Sequence, residues 1–308
     1  MITKNKVLII KLGHSETLDP EISKECSLGD VVRTTVLLNY FKEGDKITWL
    51  VDERAADLLG GNPRIHRVLH WSFAACLQLQ REQFDIVINL EKQRGVCALS
   101  DMIDARQKFG FYFGRWSGEA EAHYHTEKVL EIVHDTKKRE QNKIYWQQHL
   151  AQVIQKKWSI KDKYILSGKS QAGYGIGLNF LVGEKWQDKA WERKNWDELY
   201  TKLSKEGYNI YWQGGQSNLW DYMDWIKSCA CIITCDSLGM HLALAYGKKV
   251  VALFGPSPSQ EVYMYDQGKI IKASDHKMES ITVNEVLKET MEIYPLENKM
   301  DKGTVNRI

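Results

Sequence analysis

Short apolar runs alternate with longer amphipathic segments along most of the chain, a pattern typical of strands that alternate with helices. The predicted strands span residues 7–12, 47–51, 67–69, 84–90, 108–113, 176–179, 208–212, 232–234, 250–254 and 269–272. The predicted helices span residues 31–41, 55–59, 73–81, 95–105, 124–133, 144–158, 196–205, 219–227, 240–245 and 283–293. This alternation favours parallel sheets with helices on both faces, and therefore an α/β fold.

The alternation of strands and helices is interrupted over residues 114–170, which are more polar and end in a mixed stretch with two glycines. We place a domain boundary there, which gives a first domain of residues 1–168, a second of residues 169–294 and a polar tail of residues 295–308. In two open α/β domains in tandem, the carboxyl ends of the strands are expected to face one another across a cleft. Ligands of such folds bind outside these carboxyl ends, so the cleft is the expected binding site.

The segment from Thr234 to Gly255 reads as a strand end, a tight turn, a helix and a second buried strand. Asp236 or Ser237 can cap the helix start, and Gly247 can close the helix. A helix that begins just after a strand points its N–H groups at a potential diphosphate site. An ordinary α/β crossover explains the same residues equally well at this point.

Composition narrows the class of protein. The chain has 308 residues, 43% of them hydrophobic, and a net charge of +2, which is too small to favour nucleic-acid binding. Its 6 cysteines lack paired metal-ligand spacing and are predicted to be reduced thiols of a cytosolic protein. No run has the length of a membrane span, so any membrane contact is expected to be peripheral. No G-x-G-x-x-G follows the first strand, which disfavours a dehydrogenase.

Three motifs resemble one known family. Residues 6–35 (KVLIIKLG…SLGDVVRTT), 186–196 (WQDKAWERKNW) and 235–261 (CDSLGMHLALAYGKKVVALFGPSPSQE) resemble glycosyltransferase family 9, the ADP-heptose:lipopolysaccharide heptosyltransferases. The resemblance implies a GT-B fold of two Rossmann-like domains, with the acceptor bound by the first and the nucleotide sugar by the second. It also implies transfer that inverts the anomeric configuration, without a cofactor or a metal.

In the first motif, Asp30 matches the family's catalytic base, and Gly29 before it is a further candidate site residue. An inverting displacement needs a carboxylate to take the proton of the attacking hydroxyl. The residues alone favour another interpretation, because Ser27 and Asp30 have the spacing of a capping box.

In the second domain, the resemblance makes Lys189 the cation that pairs with the donor phosphates, although a solvated lysine is the commoner case. The matching donor-site positions are Asp236, Ser237, Leu238, Gly239 and His241, with Met240 and Asn179 as further candidates. Three nearby tryptophans are interpreted as packing residues: Trp186, Trp191 and Trp196.

Some features depart from the family. Many members have the glycine directly after an Asp-Ser or Asp-Thr pair, whereas here Leu238 lies between Ser237 and Gly239. The loop over residues 14–26 is longer than usual, and the segment 214–229 is shorter. These departures bear on the sugar and the acceptor more than on glycosyl transfer.

The expected activity is transfer of a sugar, heptose from ADP-heptose, to a lipopolysaccharide core or another surface glycan. The alternatives are a nucleotide-sugar epimerase of GT-B fold and a non-catalytic nucleotide-sugar-binding protein. We expect a cytoplasmic protein, with peripheral contact at the inner membrane if the acceptor is a glycolipid. Four cations are candidates for a basic patch there, against the simpler interpretation of a solvated face: Lys92, Arg94, Arg106 and Lys108.

Overall fold

The computed structural model describes residues 4–14, 25–134, 136–168, 173–214 and 216–296. Most of the long loop predicted over residues 14–26, and the tail beyond residue 296, lie outside the described residues. The chain divides into two compact units. The first comprises residues 1–169 together with 260–265, and the second comprises residues 170–259 and 266–308.

The first unit is built on a six-stranded sheet in the order β3-β2-β1-β4-β5-β6. Its strands are β1 (Lys6–Ile10), β2 (Lys46–Val51), β3 (Arg67–His70), β4 (Gln83–Asn89), β5 (Asp104–Phe113) and β6 (Ala120–Ala122). The first five strands are parallel, and β6 pairs antiparallel with β5. Val7 to Ile10 are fully buried, because helices cover both faces of a parallel sheet.

The helices of the first unit are α1 (Leu28–Thr34), α2 (Phe73–Leu79), α3 (Arg94–Met102), α4 (Glu127–His134), α5 (Thr136–Gln141) and α6 (Trp146–Val153). Helix α1 continues as a 3₁₀ helix over Thr35–Tyr40, and a second 3₁₀ helix spans Glu53–Leu58.

The second unit has a five-stranded parallel sheet in the order β11-β10-β9-β7-β8. Its strands are β7 (Ile176–Asn179), β8 (Ile210–Trp212), β9 (Cys231–Cys235), β10 (Lys249–Phe254) and β11 (Gly268–Lys272). Its α-helices are α7 (Arg193–Lys205), α8 (Leu219–Ser228), α9 (Leu238–Ala245) and α10 (Val283–Ile293). Short 3₁₀ turns span Glu184–Lys189 and Met278–Ser280.

The predicted alternation of strands and helices is confirmed in both units, with three corrections in the stretch 114–170. The sequence predicts no strand at β6, because the turn before it is glycine-rich and β6 has only three residues. It also predicts no helix at α5. The helix predicted over 144–158 ends at Val153, and Gln155 then takes a left-handed backbone with φ of 56°.

Residues 260–265 belong to the first unit, which they contact through both side chains and backbone. The Glu261 carboxylate accepts a hydrogen bond from Arg139 Nε (2.9 Å) and is almost fully buried. The Tyr263 carbonyl accepts from Gln147 Nε2 (3.3 Å), and the Tyr265 hydroxyl donates to the Asp162 carbonyl (3.1 Å). Nothing in the local sequence pattern predicts this segment's place.

Among the described residues, none of the helices combines the length and the apolar character that crossing a bilayer requires.

Gly110 provides a test of the packing in the first sheet. Its φ is 90°, and a Cβ there would lie 1.8 Å from the Asn89 carbonyl oxygen, so Gly110→Ala combines backbone strain with a clash. We expect it to lower the free energy of unfolding of the first unit by more than about 2 kcal/mol in urea denaturation.

Gly95→Ala is the matched control, because Gly95 lies in α3 and a Cβ there meets nothing within 4 Å. This change should leave stability equal or raise it by up to about 1 kcal/mol. Equal stability of the two variants would contradict the packing described here.

Candidate active site

The carboxyl edge of the first sheet gathers charged residues from three segments. Ile10 of β1 pairs with Asn89 of β4 in parallel register, so the residues that follow these two strands emerge side by side. Lys11 follows β1 and Glu91 follows β4, and 3.4 Å separates Lys11 Nζ from Glu91 Oε1.

Asp30, the predicted catalytic base, lies in this cluster in the first turn of α1 and is only 4% exposed. Arg33 Nε donates to its Oδ1 (2.6 Å), and Lys11 Nζ contacts its Oδ2. Burial alone would raise the pKa of Asp30, but the charges of Arg33 and Lys11 hold that pKa well below its usual range. Asp30 is therefore ionised, with a cation on each oxygen.

Arg33 is held from two sides. One side is the Asp30 carboxylate, and the other is the ring of Trp146, which lies 4.5 Å from the guanidinium carbon. Stacking of a guanidinium on an aromatic face adds attraction to the ion pair.

The capping box predicted for Ser27 and Asp30 is wrong. Ser27 occupies the N-cap position of α1, but its side chain makes no capping hydrogen bond. Its backbone N–H donates to the Gly13 carbonyl at 2.8 Å, and the Asp30 carboxylate is engaged by cations. Gly29 lies within the same helical turn, and its role as a site residue stays a prediction.

Glu91 is a charged member of the cluster that the sequence analysis missed. It is fully buried, and its Oε1 accepts hydrogen bonds from the backbone N–H groups of Leu12 (2.7 Å) and Gly13 (2.8 Å). The signal that would have found it is an acidic residue directly after a predicted buried strand. Parallel pairing brings that position to the same edge as Lys11.

A second charged group, also missed, lies at the ends of β1 and β2. Only 2.6 Å separates His14 Nε2 from Asp52 Oδ2, and Asp52 Oδ1 accepts from the backbone N–H and the Nε of Arg54, both at 2.9 Å. Burial opposes ionisation of Asp52, but hydrogen bonds from Arg54 and His14 hold its pKa well below the usual range. The loop that leaves β1 is thus anchored to β2.

The four cations considered for a basic patch have partners or are buried. Arg94 forms an ion pair with Glu119, Arg106 with Asp85 at 3.2 Å, and Lys108 donates to the Asp101 carbonyl at 2.8 Å, while Lys92 is only 8% exposed. A carboxylate thus balances the positive charge at two of these positions, Arg94 and Arg106.

In the second unit, the corner between β9 and α9 has the predicted form. β9 ends at Cys235, the Asp236 N–H donates to the Leu253 carbonyl of β10 (3.1 Å), and α9 begins at Leu238. Ser237 is the N-cap residue, as predicted, but its hydroxyl makes no capping bond. Gly247 has a φ of 70° just beyond the helix, which confirms its role as the closing residue.

The structure brings Lys189 and Asp236 together at this corner, with 2.7 Å between Lys189 Nζ and Asp236 Oδ2. Burial would raise the pKa of Asp236, but Lys189 and, more weakly, the nearby His241 hold it at about 2. His241 is itself only 5% exposed. The lysine, the aspartate and the helix start thus form one cluster, although they are 47 residues apart in the chain.

Asn179 ties the corner to the end of β7. Its Nδ2 donates to the hydroxyls of Thr234 (2.8 Å) and Ser237 (3.2 Å), and its Oδ1 accepts from the Tyr222 hydroxyl (2.6 Å). A Cβ on Gly239 would lie 2.4 Å from Asn179 Nδ2 and 2.6 Å from the Tyr222 oxygen. Position 239 therefore requires glycine so that α9 can approach this network.

Met240 is fully buried in the core, and its N–H donates to the Ser237 carbonyl (3.2 Å). Its place in the donor site stays a prediction. Leu238 and Gly239 occupy the first two positions of the helix, where N–H groups have no partner within the helix itself.

Two of the three tryptophans are packing residues, as predicted. Trp191 and Trp196 are buried, their ring centroids lie 5.1 Å apart, and Trp191 Nε1 donates to the Ile281 carbonyl. The Trp186 ring lies 5.6 Å from Lys189 Nζ. Lys272, which the sequence analysis missed, holds the loop after β10 by donating to the carbonyls of Gly255 and Ser257.

Within the described ranges, no group of three or more histidine, cysteine, aspartate or glutamate side chains has the arrangement of a metal site.

The sequence model of glycosyltransferase family 9 (heptosyltransferase) matches residues 73–219 and 214–290. The chain belongs to glycosyltransferase family 9. The predicted donor residues Lys189, Asp236 and His241 lie inside the matched ranges, whereas Asp30 precedes them. The resemblance found in the sequence is thus confirmed, and the catalytic role of Asp30 stays a prediction.

Solved structures agree with this family assignment at the level of fold. Escherichia coli heptosyltransferase WaaC with ADP has 16% identity and a TM-score of 0.66, and covers 94% of this chain and 99% of its own. E. coli ADP-heptose lps heptosyltransferase II has 16% identity and a TM-score of 0.67, with coverage of 94% and 98%. A family 9 glycosyltransferase from Veillonella parvula DSM 2008 has 16% identity and a TM-score of 0.65, with coverage of 94% and 97%.

These similarities confirm the GT-B fold class for this family 9 chain. A search of the curated proteins finds no match.

The buried cluster of the first unit predicts a specific pattern of stability. Lys11→Met should lower the free energy of unfolding by roughly 3–5 kcal/mol, because it leaves two buried carboxylates against one cation. Adding Glu91→Gln restores charge balance, so Lys11→Met/Glu91→Gln should recover much of that loss in urea denaturation.

Lys138→Met is the control, since Lys138 and Glu131 form a pair whose side chains are both more than half exposed. It should change stability by less than about 1 kcal/mol. A double variant less stable than Lys11→Met would show that the charges of Lys11 and Glu91 do not compensate one another.

Proposed function

We propose that this family 9 chain transfers heptose from ADP-heptose to a surface-glycan acceptor such as a lipopolysaccharide core, with inversion at the anomeric carbon and without a metal ion. The observation that carries the proposal is the Lys189–Asp236 pair at the start of α9. These residues belong to the part of the chain that the family model matches.

The second unit would stabilise the leaving group. A departing nucleoside diphosphate gains negative charge as the sugar–oxygen bond breaks, and a preorganised cation and helix N-terminus lower that cost. Lys189 supplies the cation, and the N–H groups of Leu238 and Gly239 supply the helix N-terminus. In the absence of donor, Asp236 holds Lys189 in place. A diphosphate carries more charge than one carboxylate and would compete for the ammonium.

The first unit would supply the base. The acceptor hydroxyl oxygen forms a bond to the anomeric carbon, the bond from that carbon to the diphosphate breaks, and the hydroxyl proton passes to the Asp30 carboxylate. This base has a low pKa, so it accepts a proton only as the attacking oxygen loses its electron density in the transition state.

Two solved structures support the choice of donor, although at 16% identity their similarity to this chain concerns the fold. They are E. coli WaaC with ADP and with ADP-2-deoxy-2-fluoro heptose. The nucleotide sugar serves as the substrate, and no further cofactor is part of the proposal. We assign the reaction to the cytoplasmic side of the inner membrane, where a glycolipid acceptor would bring the protein into peripheral contact.

Lys189→Ala should weaken the binding of ADP by roughly 10- to 100-fold, because it removes a charge-assisted contact with the diphosphate. Calorimetry with ADP, UDP, GDP and ADP-heptose measures this effect and also the nucleotide preference of the wild-type chain. We expect a preference for ADP that is strengthened by the heptose.

Lys185→Ala is the matched control, because Lys185 belongs to the same 3₁₀ turn and lies 5.8 Å from the same Trp186 ring. Its affinity for ADP should equal that of the wild type. If Lys189→Ala also binds ADP normally, Lys189 does not contact the phosphates. A wild-type preference for UDP or GDP would exclude ADP-heptose as the donor.

Asp30→Asn should reduce transfer by roughly 10²- to 10⁴-fold while donor affinity stays unchanged, because the amide cannot take the proton. The assay uses ADP-heptose and a heptose-free lipopolysaccharide core oligosaccharide, with and without EDTA. NMR of the product gives the configuration at the new glycosidic bond. We expect inversion and no effect of EDTA.

Near-normal turnover of Asp30→Asn would remove Asp30 as the base. A wild-type chain that binds ADP-heptose tightly but transfers nothing to any glycan acceptor would favour the non-catalytic binding protein instead. Retention of configuration or loss of activity in EDTA would overturn the proposed chemistry while leaving the family assignment intact.

A further inference from the structure

Lys11 lies between two buried carboxylates. Its ammonium contacts Oδ2 of Asp30 and is 3.4 Å from Oε1 of Glu91. The side chain of Lys11 is 5% exposed, and those of Asp30 and Glu91 are 3% and 0% exposed. The ammonium therefore has two anionic partners within reach and almost no access to water.

The two partners differ in how they are held. Glu91 is fixed to the backbone by the N–H groups of Leu12 and Gly13, which both donate to the oxygen that faces Lys11. In the described part of the chain, no backbone N–H donates to Oδ2 of Asp30, the oxygen that Lys11 contacts. Its other oxygen, Oδ1, is held by Arg33.

A base must expose a lone pair to the hydroxyl that it deprotonates. Arg33 has a second contact besides Asp30, because its guanidinium lies over the Trp146 ring. Lys11 carries its charge on a flexible four-carbon stem, and a second carboxylate already lies beside it.

We propose that Glu91 is a positioning residue that receives the Lys11 ammonium when an acceptor hydroxyl takes its place on Asp30. This inference rests on the proposed function, in which Asp30 is the base. The acceptor hydroxyl would then donate to Asp30 Oδ2, while Lys11 moves by a short distance towards Glu91.

The proton and charge balance is simple. Lys11 keeps its proton throughout, and the proton of the acceptor hydroxyl ends on Asp30 as the new glycosidic bond forms. Before the reaction, the cluster has two anions, Asp30 and Glu91, and two cations, Lys11 and Arg33. After Asp30 takes the proton, one anion and two cations remain. Without Glu91, the cluster would carry one further uncompensated positive charge at that point, which would disfavour protonation of Asp30.

Glu91→Gln tests the inference, because the amide oxygen can still accept from Leu12 and Gly13 but no longer attracts Lys11 as a charge. With ADP-heptose and the heptose-free core oligosaccharide, we expect kcat to fall by about 10-fold or more, while the KM for ADP-heptose stays unchanged. Glu119→Gln is the control, since Glu119 is an exposed glutamate of the same unit. It should leave kcat unchanged.

A double-mutant cycle distinguishes positioning from a structural role. If Glu91 acts through Lys11, Glu91→Gln should have little further effect on kcat in a Lys11→Met background. Should Lys11→Met alone fold too poorly to assay, Glu91→Asp replaces the cycle. It keeps the anion, so it should retain more of the wild-type kcat than Glu91→Gln does.

The pH dependence of kcat/KM independently tests the direction in which each variant changes the pKa of Asp30. The charged groups that face Asp30 are Lys11 from the end of β1 and Arg33 from α1, and Glu91 after β4 faces Lys11. Loss of the Lys11 cation should raise the pKa of Asp30 and move the acid limb to higher pH. Loss of the Glu91 anion should lower that pKa further, so Glu91→Gln should show no acid limb from Asp30 in the pH range where the chain is folded.

Three results would overturn the inference. These are a normal kcat for Glu91→Gln, effects of Glu91→Gln and Lys11→Met that multiply, or an acid limb that Glu91→Gln moves to higher pH. Failure of the proposed function is recognised separately, because the wild-type chain would then transfer no heptose before any variant is compared.

Discussion

Parallel strand pairing is the constraint on which both candidate sites depend. Each sheet delivers the residues that follow its strands to a single edge, so side chains far apart in sequence meet without any long-range signal of their own. In the first sheet the pairing of Ile10 with Asn89 brings Lys11 beside Glu91. In the second sheet, Asn179 of β7 pairs with Thr234 of β9. This pairing brings the Asn179 side-chain amide to Ser237 at the start of α9.

Both sites keep a lysine and an aspartate in contact, and the two pairs have different environments. Lys189 and Asp236 are partly accessible, at 21% and 16% of their side-chain surfaces, so an incoming anion can exchange with the carboxylate. Lys11 and Asp30 are almost sealed, at 5% and 3%. Separating a sealed pair leaves buried charges uncompensated unless another group replaces the lost partner. The Lys189–Asp236 pair is therefore suited to binding a charged ligand, and the Lys11–Asp30 pair to controlling a proton.

The sequence predicts the α/β alternation, most element bounds and the corner around Asp236, because these follow from local periodicity and turn residues. Lys189 and Asp236 were predicted through the family motifs, which preserve spacing along the chain. Glu91, the His14–Asp52 pair and Lys272 were missed, because their roles arise from hydrogen-bond partners that are 15 to 79 residues distant. The supposed capping box failed for a related reason. A local pattern suggested a partner for Asp30, but Arg33 of α1 and Lys11, which follows β1, satisfy that carboxylate instead.

The segment 260–265 has a consequence for how the polypeptide can be divided. Because Glu261, Tyr263 and Tyr265 complete the first unit from a distant part of the chain, neither unit is a continuous stretch of sequence. Cutting between residues 168 and 169 would leave Arg139 without its buried carboxylate and Gln147 without the Tyr263 carbonyl. The first unit is thus formed from two separate stretches of the chain, and an excised N-terminal half would lack the contacts that residues 260–265 supply. Synthesis of the chain must proceed past residue 265 before the first unit can be complete.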